Sequence, residues 1–142
     1  MPQDQAIREC VDRDRIKRLK YEYCRCIDET DVAAFADLFT EDAVVAFATR
    51  DPYHGRAEIR EFLETHAGEA DRMGHLATNP LIEMETADRA TGRWCYLVFL
   101  GNESETELGH GVYHETYLRE ESRWRIDSLR TERRFTHTLR SK

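Results

Sequence analysis

Two side chains in this 142-residue chain have the type and placement for proton transfer. At about 100° per residue, Cys26, Leu19, Tyr23, Ile16, Ile27, Cys24 and Tyr21 span a broad apolar arc of one helix. Asp28 projects inside that arc, between Cys24 and Tyr21, with Lys17 as its only basic neighbour in projection. A carboxylate there is either a solvated helix end or a group that faces a pocket and orients a base. His75 opens the stretch Gly74-His75-Leu76-Ala77-Thr78-Asn79, where His75, Ala77 and Asn79 alternate to one face of a strand. A lone strand histidine is either a satisfied structural residue or a catalyst, because a neutral imidazole can accept a proton and return it elsewhere.

The other candidate groups point away from metals and covalent catalysis. His110 and His114 share a strand face but lie about 13 Å apart along it, too far to chelate one ion. Cys24 and Cys26 are about 200° apart around a helix axis, and neither Cys10 nor Cys95 supplies a second pair at zinc spacing. All four thiols are expected to be buried and reduced. His66 completes an apolar helical stripe and reads as core, while His54 and His137 read as loop or tail residues. No Gly-x-Gly-x-x-Gly, P-loop or Gly-x-Ser-x-Gly pattern occurs. The expectation is a site with no metal and no organic cofactor.

The elements that must position Asp28 and His75 can be read from periodicity. Ile16, Leu19, Tyr23 and Ile27 recur at helical spacing, predicting a helix that starts near Asp12 or Asp14. Ile7, Cys10 and Val11 are out of phase with that stripe, so residues 1–11 are expected to form a separate N-terminal segment. Asp31 can cap a short second helix carrying Phe35, Leu38 and Phe39. Ala43 to Ala48 is a strand candidate, and Gly55 precedes a third helix with Ile59, Phe62, Leu63 and His66 on one face. Strands are then predicted over 74–85, 92–101, 106–119 and 123–135, joined by short turns and pairing as an antiparallel meander. Helices first and sheet second reads as a single α+β domain.

The composition sets limits on what such a domain binds. Twenty-eight acidic against 21 basic residues give a formal net charge of −7, which argues against a nucleic-acid or anionic-membrane partner. The longest apolar run, Trp94 to Leu100, is far shorter than the ~20 residues of a spanning helix. The polar start Met-Pro-Gln-Asp carries no secretory pattern, so a cytoplasmic protein is the default. Trp94 to Leu100 is apolar on both alternating faces, and one copy of the chain can cover only one. A homodimer through the outer face of the sheet is therefore expected.

Five ordered pieces carry a family resemblance. They are Ile16-x-x-Leu19-x-x-x-Tyr23 running into Ile27-Asp28, Asp37-Leu38-Phe39-Thr40-Glu41-Asp42-Ala43-Val44, and Tyr53-His54-Gly55-Arg56-x-x-Ile59-x-x-Phe62-Leu63. His75-x-x-x-Asn79-Pro80-x-Ile82 follows, and then Gly111-x-Tyr113-x-x-x-Tyr117 with Trp124-Arg125-Ile126. Together they resemble the SnoaL-like branch of the nuclear transport factor 2-like superfamily over nearly the whole chain. The resemblance implies a cone-shaped α+β barrel, in which a strongly bent antiparallel sheet wraps three N-terminal helices and leaves a pocket at its open end.

The spacing is most similar to that of the family's cofactor-free lyases, the dehydratases and dehydrochlorinases. Their shared Asp corresponds to Asp28, their catalytic His to His75 and a pocket Tyr to Tyr53. The dehydratases carry a further histidine, for which His110 is the candidate, and Tyr23 and Tyr113 are expected to join Tyr53 and His110 as substrate-binding groups. The expected function is a lyase or isomerase, with dehydratase- or cyclase-like chemistry, acting on a small hydrophobic cyclic molecule. The alternative is a non-catalytic ligand-binding or assembly module of the same fold.

Overall fold

The structure is a computed structural model and describes residues 2–142. Three helices precede most of the sheet: α1 (Pro2–Glu29), α2 (Val32–Asp37) and α3 (Gly55–His66). Six strands, β1 (Phe39–Ala46), β2 (Tyr53–His54), β3 (Arg72–Thr86), β4 (Arg89–Gly101), β5 (Glu105–Glu120) and β6 (Arg123–Arg140), form one sheet in the order β2-β1-β6-β5-β4-β3. β3 to β6 are the antiparallel meander read from the sequence, and β1 joins β6 in parallel. The sheet curls around the helices but does not close, since β2 and β3 remain its two edges. The expected barrel is thus a curled, open α+β sheet.

Local sequence explains the main turns. Ile16, Leu19, Tyr23 and Ile27 bury the stripe of α1 against the concave face of the sheet. The helix ends at Thr30, whose φ of 53° breaks the repeat, and Asp31 then caps α2 by accepting the Ala34 N–H at 3.3 Å. Gly55 takes a φ of +87° at the start of α3, a conformation that a side chain would strain. The Arg56 guanidinium ties α3 to β1 by donating twice to the Phe39 carbonyl, at 2.6 and 3.0 Å. Irregular register between Thr78 and Leu81 in β3, and between Thr116 and Tyr117 in β5, bends the long strands around the core.

Four expectations are corrected here. Residues 2–11 are not a separate segment, because α1 runs unbroken from Pro2. Ile7 and Val11 are out of phase with the core stripe because they face outward. The strand expected over 43–48 starts at Phe39, and the two-residue strand β2 was unanticipated because so short an edge has no period to read. Cys10 is exposed and Cys95 half-buried, so only Cys24 and Cys26 are buried as expected. His66 is half-buried at the rim of a cavity, not in the core.

The alternation of β4 sends Trp94 and Tyr96 inward and Cys95, Leu97 and Phe99 outward. Leu76, Leu97, Phe99, Phe135 and Leu139 lie exposed on the single chain. Among the described residues no helix is long and apolar enough to cross a membrane.

Candidate functional site

The last turn of α1 and the start of β3 bring Asp28 and His75 together. Asp28 Oδ1 lies 2.6 Å from His75 Nδ1, and Asp28 Oδ2 accepts the backbone N–H of His75 at 2.9 Å. One carboxylate thus grips both the ring and the main chain of the same residue. An ionised carboxylate only accepts, so the ring hydrogen sits on Nδ1 and the lone pair of Nε2 remains available. The His75 side chain is only 10% exposed and that of Asp28 26%, so the pair is largely shielded from water.

Both residues line a cavity of about 920 Å³ between the helices and the inner face of the sheet. Its apolar wall includes Ile27, Phe47, Phe62, Leu63, Met73 and Val98, and Tyr23, Tyr96 and Tyr113 add phenol rings. Tyr96 lies across Gly111, where a Cβ would come within 2.6 Å of its hydroxyl, so only glycine lets this ring settle against β5. At the rim, Arg50 and His66 Nε2 are 3.0 Å apart, with Glu69 2.8 Å from the other ring nitrogen. Among the described residues no three His, Cys, Asp or Glu side chains gather as a metal-ligand set.

Of the expected substrate contacts, Tyr23 and Tyr113 line this cavity and two others do not. Tyr53 packs its ring against Phe47 and Phe62, with centroids 6.3 and 5.0 Å away, and faces an adjoining groove. His110 lies one residue out of phase with Gly109, Gly111 and Tyr113, so strand alternation turns it to the outer face. There it bonds to the Tyr96 carbonyl at 2.9 Å and packs on Phe135.

Sequence reasoning also missed three residues. Tyr96 was hidden inside a run apolar on both faces. Lys20 and Glu115 form a fully buried ion pair beneath the cavity. The signal for Lys20 was present: at about 100° per residue it falls between Ile16 and Cys24, in the middle of the apolar arc.

Burial sets the state of the phenols. Tyr23, Tyr113 and Tyr117 are pushed well above the usual tyrosine value of 10.0, first by loss of water and then by neighbouring groups that would repel a phenolate, Glu115 among them. These three therefore hold their protons, and Tyr117 donates its own to Glu115 Oε1 at 2.6 Å. The folded state keeps protons that the unfolded chain releases, so stability should fall as the pH rises through 10 and beyond. A spectrophotometric titration of the six tyrosines should show Tyr23, Tyr113 and Tyr117 ionising only as the protein unfolds. Early, reversible ionisation of all six would contradict this. Burial also pushes the Cys24 thiol up to about 11, leaving it protonated and a poor nucleophile.

The SnoaL-like domain model matches residues 8–130. The chain belongs to the SnoaL-like domain family. Three solved structures place its fold further. A protein from Novosphingobium aromaticivorans assigned as a scytalone dehydratase superposes with a TM-score of 0.88 at 20% identity, over 96% of this chain and 93% of that one. A Mycobacterium tuberculosis protein of unknown function is 30% identical with a TM-score of 0.84, over 94% and 76% of the two chains. The type-3 hexachlorocyclohexane dehydrochlorinase of Novosphingobium barchaimii has a TM-score of 0.84 at 19% identity, over 94% of each chain. This SnoaL-like protein thus shares the overall fold of structures that carry lyase names.

Proposed function

We propose that this SnoaL-like protein is a cofactor-independent lyase or isomerase that moves protons on a small, hydrophobic, cyclic molecule. The observation that carries the reading is the double contact of Asp28 with His75 at the wall of the 920 Å³ cavity. His75 Nε2 is the base, and Asp28 holds the tautomer and stabilises the imidazolium that forms. Tyr23 or Tyr96 is the hydrogen-bond donor to the bound molecule, since both line the cavity with His75 and Tyr53 does not.

Elimination of water is the reaction to test first. Nε2 takes a proton from carbon, the C–H electrons form the new double bond, and the C–O bond breaks. The imidazolium then returns the proton to the departing hydroxyl, which leaves as water. The names of the structural relatives, a dehydratase and a dehydrochlorinase, support an elimination. Isomerisation and ring closure use the same proton shuttle without loss of water.

The test is incubation of the purified protein with a panel of hydroxylated cyclic ketones, phenols and steroids, followed by mass spectrometry. Loss of one water from a panel member, or an isomer of unchanged mass, supports the proposal. Tight binding without any conversion would identify a non-catalytic ligand-binding module instead.

The working form proposed is a homodimer through the outer sheet face, because Leu76, Leu97, Phe99 and Phe135 form an exposed apolar surface there. Sedimentation at micromolar concentration should give a dimer, and Leu97→Glu with Phe99→Glu should convert it to a folded monomer. A wild-type monomer at that concentration would refute this assembly.

A further inference from the structure

Beneath the cavity lies a polar network that the proposed proton shuttle does not use. Lys20 Nζ donates to Glu115 Oε2 at 2.5 Å, with both side chains fully buried. Tyr117 donates to the other carboxylate oxygen at 2.6 Å, and Trp94 Nε1 donates to the Tyr117 hydroxyl at 2.9 Å. The same ammonium lies 3.3 Å from the ring centroid of Tyr113 and 3.8 Å from that of Tyr23. Those two rings meet edge-to-face at 5.9 Å, and both line the cavity.

One hydroxyl in this arrangement lacks an acceptor. The Tyr23 hydroxyl is fully buried, and although the Tyr113 hydroxyl lies beside it, its own O–H finds no acceptor in the protein. A buried hydroxyl left unpaired is costly, and an acceptor arriving in the cavity would relieve that cost. A buried ion pair is also a poor source of stability, because desolvation offsets most of its attraction and apolar side chains would fill the same volume. What the pair supplies here is direction: a cation against two ring faces resists rotation of both rings.

We propose that the Lys20–Glu115 pair is a positioning device, holding the Tyr23 and Tyr113 rings so that the Tyr23 hydroxyl donates to an oxygen of the bound molecule. The inference rests on the reading of the cavity as the ligand site. It makes Tyr23 the polar anchor of that site and leaves proton transfer to His75 and Asp28.

The probes that test it are 1-tetralone and tetralin, bicyclic molecules that differ by one carbonyl oxygen. Fluorescence titration of the wild type should show tetralone binding about 5–10-fold more tightly, the scale of one neutral hydrogen bond. Tyr23→Phe should reduce that preference to about twofold or less. Lys20→Met combined with Glu115→Gln, which removes both charges while keeping an acceptor for Tyr117, should reduce it equally. Adding Tyr23→Phe to that variant should cause no further loss.

A purely structural role for the pair would change the melting temperature or weaken both probes alike, leaving their ratio at the wild-type value. A wild-type ratio in the charge-free variant therefore overturns the inference, as does one in Tyr23→Phe. Binding of neither probe to the wild type would instead bring down the cavity reading, and this inference with it. Circular dichroism checks each fold. Should the double variant not fold, Glu115→Gln alone, which removes the counter-charge that keeps Lys20 protonated, must show the same reduced ratio.

Discussion

Replacing His75 with alanine should lower turnover at least ~100-fold on any substrate the panel identifies, the usual scale for a general acid–base group. Asp28→Asn should cost a similar factor, because an amide can offer its NH₂ group to Nδ1 and stabilise the wrong tautomer. The double variant should be hardly slower than His75→Ala, since groups that act as one unit are strongly non-additive.

Folding sets a second condition. Asp28 also accepts the His75 backbone N–H, so the asparagine variant should retain that bond through its side-chain oxygen and melt close to the wild type. Rates of all three variants, with melting temperatures beside them, decide the matter. Multiplicative losses in the double variant would separate the two residues, and collapse of Asp28→Asn would assign the carboxylate to structure.

Much of this arrangement was legible in the sequence because two periods carry it. The helical stripe of Ile16, Leu19, Tyr23 and Ile27 fixed which face of α1 meets the sheet, and Asp28 lay between Cys24 and Tyr21 at the edge of the broader apolar arc. Strand alternation placed His75 and Ala77 on one face of β3. Register was less visible. Nothing local shows that Asp28 and His75, 47 positions apart, meet at 2.6 Å, because the curvature of the sheet decides it.

The same limit explains Tyr53 and His110. Tyr53 sits in a two-residue edge strand, where its direction depends on the packing of Phe47 and Phe62. His110 shows its outward direction only once Tyr113 is known to face the cavity. Lys20 was overlooked for another reason: a lysine in an apolar arc is easily read as reaching past it to water. Its partner Glu115 lies 95 residues away on β5, beyond any local pattern.

That buried pair should have the largest single effect on stability. Lys20→Met leaves the Glu115 carboxylate in the core with no cation, and removing one partner of such a pair costs about 3–5 kcal/mol. For a chain of this size the melting temperature should fall by about 10–15 °C.

Lys20→Met with Glu115→Gln removes the unpaired charge and keeps an acceptor for the Tyr117 hydroxyl, so it should recover at least half of the loss. Urea unfolding of the three proteins at pH 8 measures this directly. A single variant that loses less than about 1 kcal/mol at pH 8 would mean that Glu115 finds another partner or water when Lys20 is gone. The ion pair would then no longer account for the order of the tyrosines above it.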